Sequence, residues 1–335
     1  MGGHAIKSVP ISRMNVSMYK IIENDILSIL KKYFNHSMTI IPKPEKEDYG
    51  DMDILYVVNN DINIIDIIKK EFNPVEIVPN GASLCSIAYN YENLYYQIDF
   101  ISCNSIEQYV SSSFYFSYGD FGGIVGRMCN TAGIKFGHDG LWLYYSQNGN
   151  TNANAIYVHL THNVEKICDF LNLDYNVYNK GFVNVVDVFD WICKSSYFYT
   201  NIFDYNKLNH DHKKRTIKRP MYQQFINYIK DFDKPQCMDK FEYVKLKQEE
   251  ALKYFSKKDY LIEQLNILNR KLQIKEKFSG QLFMELNISV KNITSYCEKF
   301  NHYIYEKYKI PFEDYVLENS KDDIMNEVKL FVSMI

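Results

Sequence analysis

Residues 47–58 read Glu47-Asp48-Tyr49-Gly50-Asp51-Met52-Asp53-Ile54-Leu55-Tyr56-Val57-Val58, or EDYGDMDILYVV. The apolar run from Ile54 has the composition of a buried strand, yet two aspartates open it. Acidic residues form strands poorly and are expensive to bury without a partner. In a strand, residues i and i+2 share a face roughly 6.5–7 Å apart. Asp51 and Asp53 therefore present two carboxylates side by side. With no cation between them they repel, and one pKa rises. A divalent metal removes that conflict, and hard cations about 3.5–4 Å apart on shared carboxylates suit in-line phosphoryl transfer. The other reading of such a pair is a solvated turn or cap.

Two further residues favour the metal reading. Gly50, directly before the pair, lets backbone approach a ligand closely. Asp99 is the only acid inside the apolar stretch LYYQIDFI (94–101). If that stretch lies beside 52–58, Asp99 reaches the same point as the pair.

Outward from this strand, residues 14–34 have helical spacing, with Ile22, Ile26, Ile29, Leu30 and Tyr33 on one side. A short apolar piece, Met38 to Ile41, ends at Pro42-Lys43-Pro44, where proline disfavours helix interior and central ladder alike. Residues 61–72 read as a helix with Asp61 near its start. Residues 84–90 and 94–101 read as a hairpin across Tyr91-Glu92-Asn93. Residues 105–132 read as two helical pieces broken near Tyr118-Gly119. GLWLYY (140–145) and AIYVHL (155–160) read as a second hairpin over SQNGNTN. Helical patterns follow at 162–173, 185–195, 218–231, 240–275, 288–304 and 320–334. The expectation is an α+β protein, a mixed sheet with flanking helices followed by a mostly helical C-terminal domain. The change of pattern suggests domains of 1–160 and 161–335.

The net charge of −3 excludes a global basic field, so any polyanion site is a local patch. One such patch is HDHKKRTIKRP (210–220), with Lys213, Lys214, Arg215, Lys218 and Arg219. It can neutralise several phosphates of an acceptor strand, or be a solvated loop and helix start. His210 and His212 lack partners at metal-ligand spacing and read as exposed. His159 and His162 read as a strand end and a helix-cap region, and FGHDGLW (136–142) as a tight turn before a hairpin. The seven cysteines, at 85, 103, 129, 168, 193, 237 and 297, form no CxxC pair and point to reduced thiols in a cytoplasmic or nuclear-type compartment. No apolar run approaches a membrane span, the N-terminus lacks a signal core, and its sixth residue does not suit myristoylation.

Gly50-Asp51-Met52-Asp53 before an apolar strand resembles the palm of the DNA polymerase β superfamily, in particular its family X. Ile98-Asp99-Phe100 resembles the strand carrying that family's third metal carboxylate. Tyr115-Phe116, Gly119-Asp120 and Arg127 follow at spacings similar to the family's segment of YF, an acid and an arginine. VPISRMN (9–15), with Arg13 entering a helix, is similar to its IPR element. The resemblance covers about 10–145, under half of the chain. FGHDGLW and KRPMY (218–222) also resemble elements of uncharacterised phage and large-virus nucleotidyltransferase-like proteins, which would place the chain in a host cytoplasm. GGHA, and more loosely 278–300, are similar to parts of tRNA nucleotidyltransferases.

The resemblance implies a nucleotidyltransferase palm using two Mg²⁺ or Mn²⁺ ions. Asp51 and Asp53 would hold both metals, and Asp99 would hold the catalytic one and help activate the attacking hydroxyl. Gly50 and Arg13 would lie against a nucleoside triphosphate. Tyr115 and Phe116 would line the sugar pocket, unless they are plain core aromatics. Asp120 would pack near the incoming base. Arg127 would face the template or nascent pair, unless it is a solvated helix charge. The partners implied are a nucleoside triphosphate and a DNA or RNA 3′ end. A tRNA end or a protein hydroxyl is the rival acceptor, and a catalytically dead nucleic-acid-binding module the rival outside enzymes. The sequence departs from the family before the aspartates. Ile40-Ile41 stands where a phosphate-binding Gly-Ser turn is expected, and Pro44 where an arginine is usual. Lys43, Lys46 or a Gly2-Gly3 turn could supply the triphosphate contacts instead. The family's N-terminal lyase and hairpin domains have no counterpart in the sequence.

Overall fold

The computed structural model describes residues 4–59, 62–146, 155–208 and 210–335. Gly2, Gly3, Asp61 and most of the SQNGNTN loop lie outside them, as do the side chains of His212 and Arg215. The chain is α+β and falls into two compact units, one built from the residues up to 145 together with 157–257, the other centred on 258–335.

The first unit opens with the short strand β1 (Met14–Asn15), which runs directly into helix α1 (Val16–Leu30). Asn15 caps that helix, its side chain accepting from the Met18 N–H at 2.9 Å. Tyr19, Ile22, Ile26 and Leu30 recur at helical spacing and bury one face. Strands β2 (Ser37–Thr39), β3 (Asp48–Tyr49) and β4 (Met52–Val57) follow. Next come α2 (Ile64–Ile67), continued by a π-helical turn over Ile68–Phe72, then β5 (Ile77–Asn80), β6 (Leu84–Tyr91) and β7 (Leu94–Cys103). The five-stranded sheet has the order β2-β4-β7-β6-β5. β4 and β7 pair in parallel at its centre, and the other pairings are antiparallel.

Period-two alternation sorts the central strands onto two faces. Met52, Ile54, Tyr56, Ile98 and Phe100 face α1 and form the main core. Leu55, Ile101 and Cys103 face the other way, under Tyr109 and Phe116 of α3 (Ile106–Phe116). Asp53 and Asp99 belong to this second face, at the end that this apolar cluster leaves bare.

After α4 (Phe121–Thr131) comes a three-stranded sheet of β8 (Ile134–Gly137), β9 (Gly140–Tyr145) and β10 (Ile156–Thr161). The turn FGHDG joins β8 to β9, and Gly140 sits at φ +82°, where a Cβ would strike the Thr161 carbonyl oxygen at 2.1 Å. Helices α5 (Val164–Phe170), α6 (Tyr175–Lys180), α7 (Val185–Cys193), α8 (His210–Ile217), α9 (Pro220–Tyr228) and α10 (Lys240–Tyr254) complete the unit.

The division expected at residue 160 is therefore misplaced. The helices after 160 pack back onto α3 and α4 through aromatic rings. Phe114 meets Tyr178 at 4.7 Å between centroids, and Phe121 meets Trp191 at 5.6 Å. The helical pattern over 240–275 also resolves into two helices, because the chain turns at Phe255–Lys257 with Ser256 left-handed.

The second unit is helical: α11 (Lys258–Lys277), α12 (Gln281–Glu285), α13 (Ile293–Tyr308), α14 (Phe312–Glu318) and α15 (Lys321–Ser333). Its own core gathers Phe283, Phe300, Ile304, Val316, Ile324 and Phe331. Lys277 ties α11 to the end of α14 by donating to the Leu317 and Asn319 carbonyls at 2.6 and 2.9 Å.

Candidate active site

The parallel register sets Asp53 directly opposite Asp99 across β4 and β7. Neighbouring strands lie about 4.8 Å apart, so these carboxylates share one spot on the bare end of the face. Asp51 stands at the head of β4, close enough to raise the proton affinity of both. Burial, then Asp51 and Asp99, push the Asp53 carboxyl up to about 8. Burial pushes Asp99 up to about 6, with Asp51 adding to the shift and hydrogen bonds from Ser86 and Gln97 opposing it. Among the described residues, no group of three or more His, Cys, Asp or Glu side chains is placed so as to hold a metal ion. Asp53 and Asp99, on adjacent strands, are nevertheless oxygen donors of the kind a hard divalent cation takes, with like charges that conflict when alone.

Two residues missed in the sequence hold Asp99 in place. The buried Gln97 amide donates to both Asp99 oxygens, at 3.0 and 3.1 Å. The Gln97 side-chain oxygen Oε1 in turn accepts the Ala5 N–H at 2.9 Å, so the N-terminal segment anchors the pair. Ser86 is the cross-strand partner of Asp99 and is 1% exposed. Gln97 was detectable, being two residues before Asp99 and hence on its face. Ser86 was not, because its relevance depends on strand register.

The cations expected beside the carboxylates are there in part. Lys46 stacks on the Tyr49 ring, with its Nζ 4.4 Å from the centroid. Burial pulls its ammonium below the usual lysine range, against the opposing charges of Asp51 and Asp53. Lys43 and Arg13 are near enough to lower it further. Arg13 itself is held by Asp48, Nε to Oδ2 at 2.6 Å, in an exposed pair. Gly50 is buried at the bend between β3 and β4. The segment around Ile40-Ile41 is stitched in place at both sides. The Ile40 N–H points to the Asp53 carbonyl at 3.4 Å, and the Tyr118 N–H donates to the Ile41 carbonyl at 2.8 Å.

No protein-family model matches the chain, and no curated protein matches it. Geometry and residue chemistry therefore carry the functional reading.

The downstream residues divide. Phe116 packs on Leu55, Ile101 and Cys103 and stacks on His138, as a core aromatic would. Tyr115 is half-buried and meets Phe136 edge-on at 5.2 Å. Asp120 joins the starts of α4 and α9. Its Oδ2 accepts the Tyr222 N–H at 3.3 Å, and its Oδ1 lies 3.7 Å from Arg219. Arg127 is not a solvated helix charge: it is half-buried and donates from Nε to the Ile202 carbonyl at 3.0 Å.

The basic tract forms α8 and the corner before α9. Lys213 lies over the Tyr205 ring at 5.4 Å, Lys214 and Lys218 are exposed, and Arg219 turns toward α4. The rings of His159 and His162 lie 4.0 Å apart at a tilt of 43°, with His162 Nδ1 3.5 Å from Asp139.

Proposed function

We propose that this chain is a metal-dependent nucleotidyltransferase, passing a nucleoside monophosphate from a nucleoside triphosphate to a nucleic-acid 3′-hydroxyl with release of pyrophosphate. The observation that carries the reading is the alignment of Asp53 with Asp99 in adjacent parallel strands, with Asp51 beside them. Two carboxylates aligned on adjacent strands, with a third just before β4, are expensive for a fold to maintain without a cation. The ordered motifs that resemble the DNA polymerase β superfamily supply the choice of chemistry.

Asp51, Asp53 and Asp99 would hold the divalent ions, Mg²⁺ or Mn²⁺. When bound, such ions neutralise charge developing on the phosphoryl oxygens and lower the pKa of the attacking hydroxyl. The chain's own groups do the positioning. Gln97 and Ser86 fix the Asp99 carboxylate so that it faces the site in one orientation. Lys46 and Lys43, held by the proline-flanked segment 42–46, replace the missing Gly-Ser turn as the positive contacts for a triphosphate. Lys46 suits this role because its charge faces Asp51 and Asp53.

The test is incorporation of a labelled nucleotide with Mg²⁺ or Mn²⁺ into single-stranded, recessed-duplex and tRNA acceptors. Expected is transfer by the wild type and a loss of at least a hundredfold in Asp53→Asn, as metal-borne charge stabilisation disappears. Equal transfer by the two proteins would remove Asp53 from the chemistry. A wild type inactive on every acceptor, while still binding nucleic acid, would favour the dead-module reading.

A further inference from the structure

A pocket of about 280 Å³ opens between α4, β8 and the α8–α9 corner. Its lining includes the cations Arg127, Lys135 and Arg219 and the rings of Tyr115, Phe136 and Tyr222. No acidic side chain is among the described residues that line it. Arginine keeps its charge even though burial pulls the Arg127 guanidinium down. Three cations around one cavity repel one another and set up a field that attracts an anion. Asp120 offsets part of this through Arg219, but it also accepts the Tyr222 N–H.

The pocket floor is the glycine face of α4. A Cβ on Gly122 would meet the Tyr115 carbonyl oxygen at 2.2 Å, and one on Gly123 would meet an Arg219 nitrogen at 2.6 Å. Packing requires glycine at 122, where backbone is in the way, whereas at 123 only the movable tip of Arg219 would have to give. Gly126 is different: a Cβ there would touch only the Phe136 oxygen, at an ordinary 3.5 Å. Glycine is the weakest helix former after proline, so nothing in the helix or its packing asks for glycine at 126. Gly126 lines the cavity, so a side chain there would take up its space.

The pocket also connects to the carboxylates. Lys43 lies against Gly119, where an added Cβ would come within 3.2 Å of the lysine Cβ. Its charge acts on both Asp120 and Lys46, and Lys46 faces Asp51 and Asp53. A run of charged side chains thus leads from the carboxylate face through Lys46, Lys43 and Asp120 to Arg219 at the pocket rim.

We propose that this pocket holds one nucleotide of a single-stranded acceptor, upstream of its reacting 3′ end. Guanidinium groups match phosphate oxygens as forked donors. Aromatic rings accept any base by stacking. The volume is at the small end of ligand pockets, suited to one nucleotide unit. The assignment rests on the nucleotidyl-transfer reading for its place along the strand, although the binding itself does not require catalysis.

The test is anisotropy of a fluorescein-labelled single-stranded oligonucleotide in EDTA, with wild type, Gly126→Leu and Lys135→Glu. The isobutyl group of Gly126→Leu fills the cavity without changing charge. Lys135 is exposed, so the second variant is a surface charge reversal. Both are expected to weaken oligonucleotide binding by about tenfold or more. Lys135→Glu should also flatten the salt dependence. Binding of a nucleoside triphosphate with Mn²⁺ should persist in both. Oligonucleotide affinity unchanged in both variants overturns the proposal. So does loss of AMP binding with retained oligonucleotide binding, which would make the pocket a free-nucleotide site. If transfer is observed and both variants keep the wild-type acceptor KM and affinity, the pocket assignment fails while the transfer reading stands. If no acceptor is ever extended but the variants lose the oligonucleotide, the transfer reading fails and the pocket stands.

Discussion

At Asp53, burial and two neighbouring carboxylates act in the same direction, and the acid holds its proton up to about pH 8. Asp99 holds its own up to about 6. Both values exceed the roughly 3.9 of an unfolded aspartate, so the folded state binds more protons than the unfolded one across that window. The resulting stabilisation is complete below about pH 4 and is lost as the pH rises through the folded values. In EDTA, the Tm is therefore expected to fall between about pH 5 and about pH 8. Mn²⁺ should restore it most at the high end, where the ionised cluster is available. Asp53→Asn should flatten the slope and blunt the Mn²⁺ response, as followed by thermal unfolding at several pH values. A slope identical to wild type would place the conflict elsewhere. Gln97→Ala tests the orienting bond separately. It strips both Asp99 oxygens of a buried donor and frees the Ala5 N–H, so a loss of about 1–3 kcal/mol of stability is expected in denaturant titrations. The acids could be found from sequence because acids in apolar strands are rare. Ser86 could not be found, since only register brings it to Asp99.

Among elements, the segment 40–46 and the helix α7 show two different limits on what the sequence discloses. Pro42 and Pro44 marked an end to regular structure, and β2 does stop at Thr39. What the prolines did not disclose is that the segment is tied to Asp53 on one side and to Tyr118 on the other. Those ties hold the segment in place without any glycine turn, with Lys46 beside Asp51 and Asp53 and Lys43 beside Lys46. Lys46→Ala is accordingly expected to raise the triphosphate KM by roughly tenfold or more, a loss of about 1.5–3 kcal/mol for a charge-assisted contact. Acceptor affinity should change little, and the separation of the two in steady-state kinetics is the check. In α7, Val185–Cys193 was legible from periodicity, and its start is fixed by a capping box between Asn184 and Asp187. Its role in the fold was not legible, because Trp191 packs on Phe121 from sequence-distant α4. That contact ties a helix beyond residue 160 to α4 within one compact unit. Helical periodicity shows that a helix has an apolar face, not which surface that face will cover.

Across the molecule, the two compact units have separate cores, each centred on aromatic and branched aliphatic residues. The proposed chemistry and the basic pocket both use residues of the first unit. The second unit is small, and small units bury a low fraction of their surface and are marginal. Phe300 is fully buried at its centre, stacked on Phe278 at 5.6 Å and packed against Phe331 at 5.3 Å. Phe300→Ala removes that ring from a site walled by other aromatics, at an expected cost of about 3–5 kcal/mol. Because the two cores share no buried residue, the loss should fall on one unfolding transition. Calorimetry should show a lowered or absent transition for the second unit, with the other transition in place. The surviving transition should still shift upward with Mn²⁺ in wild type and in Phe300→Ala alike, and not in Asp53→Asn. A single transition that moves as a whole in Phe300→Ala would show instead that the units unfold cooperatively. In that case the helical unit supports the carboxylate face energetically, and its loss would reduce metal binding as well as stability.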